Sequence, residues 1–379
     1  MVKERAFWLA WSQLHGVGPI LLKRLHQHFG TLSTAWSAPT TALMEVDGLG
    51  QQSAEAIVAQ RQHCDPATLL VEHEQHNPHF WTPADPDYPR LLLEIADPPA
   101  VLYYQGQVDL QETSGQIPTI AIVGTRSPSD YGRRWTRRIS AALAKQGFTV
   151  VSGLAEGIDT EAHRSCLQAG GRTIAVVGTG VDVVYPWSNR QLYQQVLTQG
   201  LVVSEYPAGT QPDRIHFPRR NRIIAGFSRA TLVLEAPARS GALITAHLAN
   251  DYGRDVYVLP GSLDNPRSLG CLNLLNNGAQ VILGEDKLLD LLGTLPQLLP
   301  SATAPLPEQI ALPLDLPADL NQVLQALTEL SQRSEAAGVH LDQLAPVLPL
   351  NAGEVSSALL QLELMGLVNQ LPGMRYQCH

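Results

Sequence analysis

From Thr119 onward, short runs of Val and Ile without polar alternation are separated by stretches with helical periodicity. The predicted strands are Ile120–Val123, Thr149–Ser152, Thr173–Val177, Leu201–Ser204, Thr231–Glu235, Val256–Leu259 and Gln280–Leu283. Unbroken apolar runs are typical of strands buried on both faces of a parallel sheet. The pattern therefore predicts an α/β fold, namely an extended Rossmann-like, doubly wound and mostly parallel sheet.

The N-terminal part, residues 1–75, has short helical segments separated by glycine turns. Gly16-Val17-Gly18 and Gly48-Leu49-Gly50 each precede a predicted helix. This arrangement resembles the helix-hairpin-helix unit of SAM-like domains, in which glycines let backbone N–H groups approach a phosphate. It fits two tight helical corners used only for packing equally well. The Pro- and aromatic-rich stretch from Pro78 to Tyr104 is expected to lie across the next domain as an extended leader.

The C-terminal pattern predicts a separate small domain. Residues 294–319 hold six prolines and no Lys or Arg, as expected for a linker. After it come a helix at Leu320–Leu330, a segment around Leu341–Leu348, a helix that Asn351 caps and Gly366 ends, and a hairpin with its turn at Pro372-Gly373. This order is that of a winged helix. The predicted domains are thus residues 1–75, a core at 76–293, the linker at 294–319 and a winged helix at 320–379.

Composition excludes several classes of protein. The four cysteines lie far apart with no CxxC pair, so neither a zinc site nor a disulfide framework is expected, and the chain fits a reducing cytosol. No apolar stretch is long enough for a signal peptide or a membrane span, which predicts a cytoplasmic protein without a membrane partner. No metal and no cofactor is expected.

Charge is distributed unevenly along the chain. The net charge is -9, yet Thr119 to Ala230 contains 14 Lys and Arg against 7 Asp and Glu. The remainder carries 12 basic and 28 acidic residues. A basic middle between acidic flanks indicates a local anion-binding surface.

The ends of the predicted strands carry groups that suit phosphate. Ligands of a doubly wound sheet bind outside the carboxyl ends of its strands. Gly124-Thr125-Arg126-Ser127 follows the first strand and offers a close backbone approach, two hydroxyls and a planar guanidinium. The next helix carries Arg133, Arg134, Arg137 and Arg138. Only about half of these four are expected to face a ligand groove, because helical neighbours point in different directions.

Three further segments follow later strands. Ser152-Gly153 begins a turn into a helix with Asp159 and His163, for which a structural role is favoured over a catalytic one because no nucleophile completes a triad. Asp159 is expected to cap that helix. Phe217, Arg219, Arg220, Asn221 and Arg222 combine phosphate-neutralising groups with an aromatic ring that can stack on a base, although one of the arginines is expected in a buried ion pair. Ser240-Gly241 opens a helix whose free N–H groups suit an anion.

The same motifs, in the same order, resemble the DprA/Smf family. The motifs are Gly124-Thr125-Arg126, Ser152 to Asp159 with His163, Tyr185-Pro186 with Asn189, Phe217 to Ile224, Ser240-Gly241 with Thr245-Ala246, and Pro260-Gly261. The resemblance covers about Asp85 to Gly284. It implies a non-enzymatic homodimer that binds single-stranded DNA and helps load the RecA recombinase onto it during natural transformation. One position departs from many relatives: Trp187 stands where a polar or charged residue is frequent, and it either stacks on a base or packs.

The predicted DNA contacts combine the residue-level reading with this resemblance. They are Gly124, Thr125, Arg126, Ser127, Arg134, Ser152, Gly153, Phe217, Arg219, Arg220, Asn221, Arg222, Ser240 and Gly241.

Other functions remain open from the sequence. The strongest alternative is a nucleotide-processing hydrolase of the lysine-decarboxylase-like group, to which the core is similar. Glu235 is retained, but Ala236 to Thr245 lacks that group's Pro-Gly-Gly-x-Gly-Thr loop. A dinucleotide enzyme is disfavoured, since Gly124-Thr125-Arg126 is not GxGxxG.

The predicted winged helix carries the wrong charge for a duplex reader. Leu320 to His379 holds 2 basic and 5 acidic residues, so phosphate would be repelled. We expect this module to bind protein or to be structural.

Overall fold

The computed structural model describes residues 3–293, 317–333, 339–364, 367–371 and 374–378. The chain divides into two compact units, Met1–Pro300 and Ser301–His379. Most of the predicted linker at 294–319 lies outside the described residues, as do Gly366 and Pro372-Gly373. No helix in the described ranges is long and apolar enough to cross a membrane.

Six helices begin the first unit and enclose a core of their own. They are α1 Glu4–Gln13, α2 Pro19–Phe29, α3 Leu32–Ser37, α4 Thr40–Leu43, α5 Gln51–Arg61 and α6 Pro66–His76. Trp8, Leu9, Trp11, Leu22 and Leu25 are buried here together with residues of the sheet edge. Both predicted glycine turns form: Gly16 and Gly48 adopt φ of 84° and 90°, and the second glycine of each motif precedes α2 or α5.

The next stretch of chain extends the sheet. It forms β1 Phe80–Trp81, α7 Arg90–Glu94, β2 Leu102–Gly106 and α8 Leu110–Thr113. The prediction of an extended leader was therefore wrong in part, because β2 pairs antiparallel with a core strand and β1 pairs antiparallel with β2. The two strands are short and flanked by proline, which hides their periodicity in the sequence.

Seven parallel strands form the rest of the sheet, as predicted. They are β3 Thr119–Val123, β4 Thr149–Ser152, β5 Thr173–Val176, β6 Leu201–Ser204, β7 Ala230–Val233, β8 Asp255–Val258 and β9 Gln280–Val281. The helices of this region are α9 Asp130–Lys145, α10 Ile158–Gln168, α11 Arg190–Gln199, α12 His216–Phe227, α13 Gly241–Asp251, α14 Leu269–Asn276 and α15 Glu285–Gly293.

The strand order explains where a ligand site belongs. In the described residues the sheet runs β1-β2-β6-β5-β4-β3-β7-β8-β9. The chain moves outward from β3 to β6 and then returns to place β7 on the other side of β3, with Val123 opposite Val233. A crevice opens outside the carboxyl ends of strands at such a switch point. Apolar cores on both faces of the sheet hold these strands rigidly.

The second unit has the predicted helix–helix–hairpin order. It comprises α16 Ala318–Arg333, β10 Val339–His340, α17 Leu341–Leu344, α18 Ala352–Leu364, β11 Val368–Leu371 and β12 Arg375–Cys378. Asn351 caps α18 as predicted: its Oδ1 accepts from the Glu354 N–H at 3.0 Å, and Glu354 Oε2 accepts from the Asn351 N–H at 2.8 Å. The doubly wound core and the C-terminal winged helix are both confirmed.

Candidate nucleic-acid interface

A groove of about 670 Å³ lies at the switch point between β3 and β7. Its walls come from five separate parts of the chain: the turn after β3, the residues that follow β4, Tyr185, the start of α12 with the loop before it, and the segment from Pro237 to Thr245. A narrower cavity of about 110 Å³ adjoins it and shares Arg126, Tyr185, Phe217 and Arg220. This is the rim of the sheet, at the carboxyl ends of its strands, where the sequence predicts a ligand site.

The turn after β3 is fixed by backbone hydrogen bonds on both sides. The Thr125 N–H donates to the Glu235 carbonyl at 2.7 Å, and the Ile158 N–H donates to the Thr125 carbonyl at 3.1 Å. Gly157 has φ of 86°, and a Cβ there would lie 2.4 Å from the Thr125 carbonyl oxygen. Only glycine allows this close packing. Arg126 is therefore presented, exposed, from a rigid turn at the mouth of the groove.

A buried charge pair forms the back wall. Arg220, 5% exposed, donates through Nη1 to the carbonyls of Gly153 and Val176. Burial raises the pKa of Asp159 to about 6, with Arg220 opposing the rise, and burial lowers the pKa of Arg220 to about 10. Asp159 Oδ2 accepts from the Gly153 N–H at 3.1 Å. The expected cap was wrong: Gly157 precedes α10, and Asp159 bonds the turn before it.

His163, the residue considered with Asp159 for catalysis, is completely buried. Its Nδ1 lies 2.7 Å from Thr173 Oγ1, which itself donates to the Val150 carbonyl at 2.7 Å. Since that hydroxyl proton is already used, Nδ1 must carry the proton and donate. Nε2 is buried without a partner in the described residues. The ring is held neutral between α10 and the sheet, which supports a structural role.

Acid is expected to destabilise the fold through His163. Burial lowers the pKa of this ring to about 3 from the ordinary 6.5. Below pH 6.5 the histidine of the unfolded chain binds a proton, whereas the buried ring of the native protein stays neutral. The free energy of unfolding therefore falls by up to about 1.4 kcal/mol per pH unit. By pH 5 the loss is about 2 kcal/mol. The free energy of unfolding, measured by urea titration at several pH values, should fall more steeply from pH 6.5 to pH 5 for wild type than for His163→Gln. Parallel profiles would show that the histidine titrates normally.

The start of α12 supplies an aromatic and an amide to the groove. The rings of Phe217 and Tyr185 lie 5.4 Å apart, and the Arg126 guanidinium is 6.0 Å from the Phe217 centroid. Asn221 Nδ2 donates to the Gly241 carbonyl at 3.2 Å and so joins two walls of the groove. The aromatic and cationic groups lie side by side, as in surfaces that bind single strands.

The start of α13 forms the wall opposite. Ser240 caps this helix, its Oγ accepting from the Ala242 N–H at 3.3 Å. Ser240 and Gly241 both line the groove, so the positive end of α13 faces it.

The structure brings most, but not all, of the predicted contacts together. Those that line the groove or the adjoining cavity are Gly124, Thr125, Arg126, Gly153, Phe217, Arg220, Asn221, Ser240 and Gly241. Those that are exposed outside both linings are Ser127, Arg134 and Arg219. The remaining two require correction.

Ser152 and Arg222 are buried and engaged elsewhere. Ser152 is fully buried, and its Oγ donates to the Ile122 carbonyl at 2.6 Å. Arg222 is 7% exposed; its Nε lies 3.2 Å from Asp97 Oδ2, and its Nη2 pairs with Glu205. Arg222 is the arginine that forms a buried ion pair. Both side chains are too deeply buried to meet a ligand, including Arg222 Nη1, which has no partner in the described residues.

Two arginines of the groove were missed by the sequence reasoning, as was the ring of Tyr185. Arg214 and Arg239 are exposed and line the groove. Arg214 lies three residues before Phe217, and Arg239 lies one residue before Ser240. A lone arginine in a loop has no periodicity, and only its position after a strand could have marked it.

Three exposed arginines of the groove lack counter-charges. Across the described ranges, no carboxylate forms an ion pair with Arg126, Arg214 or Arg239. On α9, by contrast, Arg137 and Arg138 form ion pairs of 2.7 Å with glutamates. The groove therefore concentrates uncompensated positive charge, although the chain as a whole is acidic.

Comparison with known proteins agrees with this geometry. The family model described as DNA recombination-mediator protein A matches residues 79–293, and that of the DprA winged helix domain matches 303–374. Protein Smf of Synechocystis sp. is 53% identical over 99% of this chain and 98% of its own length. DNA processing protein DprA of Streptococcus pneumoniae is 46% identical over 54% of this chain and 71% of its own.

Two solved structures resemble this one. That of DprA from Streptococcus pneumoniae has a TM-score of 0.65 at 34% identity and covers 76% of this chain and 98% of that chain. A structure described as showing the single-stranded DNA binding mode of DprA from Helicobacter pylori has a TM-score of 0.51 at 31% identity and covers 56% of this chain and 95% of that chain. The motifs, the sheet with its winged helix and these matches together show that the chain belongs to the DprA/Smf family of DNA-processing proteins.

Proposed function

We propose that the protein binds single-stranded DNA along its backbone in the groove between β3 and β7. The observation that carries this proposal is the set of three groove arginines without counter-charges, Arg126, Arg214 and Arg239, beside the aromatic pair of Tyr185 and Phe217. Guanidinium groups neutralise phosphates, and rings inside a narrow cavity require unpaired bases. The likeness to the Helicobacter pylori structure, which is described as showing a single-stranded DNA binding mode, supports it.

A gel-shift comparison of one strand and its duplex at two salt concentrations tests the proposal. The single strand should bind more tightly at both concentrations, and its affinity should fall as salt rises because phosphate contacts release counterions. Equal affinity for the two forms would contradict the role proposed for the narrow cavity.

We propose that this binding is not coupled to catalysis. Glu235, which the hydrolase alternative would need, is 2% exposed. Its carboxylate accepts from the Ser129 N–H and Oγ, each at 2.7 Å, and from Asn265 Nδ2 at 3.2 Å. A carboxylate that holds loops together in this way is poorly placed to act on a nucleotide. Release of free base from nucleoside monophosphates would revive the hydrolase.

A homodimer is the second part of the proposal. The strand β9 pairs with β8 on one side only and is exposed at the end of the sheet. Exposed Leu263 (80%) and Leu283 (66%) lie in the segments flanking α14 and β9. An open strand edge with large apolar side chains is a liability unless it is covered, and a second copy related by a twofold axis would cover both edges at once.

Charge at this edge is expected to separate the dimer. Leu283→Arg would place a guanidinium against the same guanidinium of the second copy. The mass measured by light scattering should therefore fall toward the 41.2 kDa of one chain. The control is Leu110→Arg, a 57% exposed leucine on α8, which should leave the mass unchanged. A dimer that survives Leu283→Arg would place the interface elsewhere.

The wider role is proposed from the family. Its description as a recombination mediator supports a protein that passes the bound strand to a recombinase. We propose that this recombinase is RecA, that the setting is natural transformation in the cytoplasm, and that the acidic winged helix binds protein. RecA ATP hydrolysis on a single strand should start sooner in the presence of the protein.

A further inference from the structure

Trp187 is a large apolar side chain left in solvent beside the groove. It is 68% exposed and begins the 3-10 turn Trp187–Asn189, directly after Tyr185-Pro186. The Arg190 guanidinium lies 5.3 Å from the centroid of its ring. The exposure excludes one of the two roles open from the sequence, that of packing in the interior. Most of the indole is available to a partner.

The turn that carries Trp187 is held in place from both sides. Ser188 Oγ donates to Glu156 Oε1 at 2.9 Å. The buried Asn189 donates through Nδ2 to the Leu154 carbonyl at 2.9 Å and to Thr160 Oγ1 at 2.8 Å. The ring is thus presented by a fixed backbone, so binding would cost little ordering of the protein.

Trp187 directly follows two residues that line the narrow cavity. Tyr185 and Pro186, next to it in the chain, line the narrow cavity with Phe217 and Arg126. Tyr185 contacts Phe217 at a centroid distance of 5.4 Å. Phe217 and Trp187 each have an arginine within 6.0 Å, Arg126 and Arg190 respectively. Two rings that each have a guanidinium group nearby suit the bases and phosphates of a single strand.

We propose that Trp187 and Arg190 form a stacking platform for one unpaired base of the strand that the groove holds. This inference rests on the proposed single-strand binding and adds a base contact outside the groove. A paired base in a duplex has both faces stacked on its neighbours, so the platform takes only single strands.

The test compares two oligonucleotides of one length, oligo-dT and a strand of abasic residues. Trp187→Ala should bind oligo-dT about 5- to 20-fold more weakly than wild type, because base–aromatic stacking is lost. The two proteins should bind the abasic strand equally, since the phosphate contacts remain. Fluorescence anisotropy of labelled strands gives both affinities.

Tryptophan emission provides a matched control. Oligo-dT should quench part of the wild-type emission, and Trp187→Phe should lose that quenching while keeping most of the affinity. Trp135→Phe should keep it: this ring also has an arginine 4.5 Å away, Arg138, but it lies on α9 outside both cavities.

The possible failures are distinct. If Trp187→Ala weakens oligo-dT and the abasic strand equally, or changes neither, the platform is refuted while groove binding stands. If wild type binds no single strand at all, the proposed function fails, and the platform fails with it.

Discussion

Arg126→Ala is expected to weaken single-strand binding about 10- to 100-fold, whatever the base sequence. A charge-assisted hydrogen bond to phosphate contributes about 1.5 to 3 kcal/mol. The arginine has no carboxylate partner in the described residues, so its guanidinium is available to a phosphate, and its removal leaves no carboxylate without a partner. Because the side chain is exposed and its turn is fixed by backbone bonds, the fold should be unaffected.

The measurement is affinity as a function of salt. Removal of one phosphate contact should lower the slope of log K against log salt by about 0.7 for a single strand. Arg24→Ala is the control, since it removes an equal charge from an exposed arginine that pairs with Asp47 on the helical N-terminal part. An unchanged slope for Arg126→Ala, or an equal loss in the control, would mean that the groove is not the binding site.

Arg222→Ala is expected to lower the free energy of unfolding by about 3 kcal/mol. Removal of one partner from a buried ion pair costs about 3 to 5 kcal/mol, because the remaining charge is left without compensation. The lower end applies here, since Asp97 and Glu205 are 28% and 23% exposed and keep some hydration. The loss belongs to the fold, as Arg222 joins α12 to the segments that carry these two carboxylates.

Urea denaturation of Arg222→Ala beside Arg126→Ala separates stability from binding. The first variant should shift the midpoint and, where it is still folded, retain single-strand affinity. Arg126→Ala should keep the wild-type midpoint and lose single-strand affinity. If Arg222→Ala were as stable as wild type but unable to bind DNA, its burial in the free protein would not represent the bound state.

The sequence predicts the central sheet well for a physical reason. Strands buried on both faces are mostly apolar along their length, and β3 to β7 are buried at every position. Strands β1 and β2 lie at the sheet edge, where one has only two residues and the other is partly exposed, so the same signal is absent. Their identity depends on long-range pairing with β6.

The candidate site is predictable in place but not in detail. Motifs at strand ends locate the rim of the sheet, since parallel strands all end at one edge. Which arginine of α12 faces the groove depends on the helix's rotation and on distant acids. Arg222 is drawn inward by Asp97 and Glu205, which lie far away in sequence or outside the motif. Arg239 faces the groove because the preceding strand, β7, inserts beside β3.

The origin of the groove in five separate stretches of chain has a consequence for synthesis. The turn with Arg126 emerges from the ribosome long before the wall from Pro237 to Thr245, and β7 must pair with β3 before the two face each other. A nascent chain therefore exposes single arginines but no complete groove. Under the proposed function, high-affinity capture of a strand is deferred until the sheet is assembled, so an incomplete chain is protected from being trapped on nucleic acid.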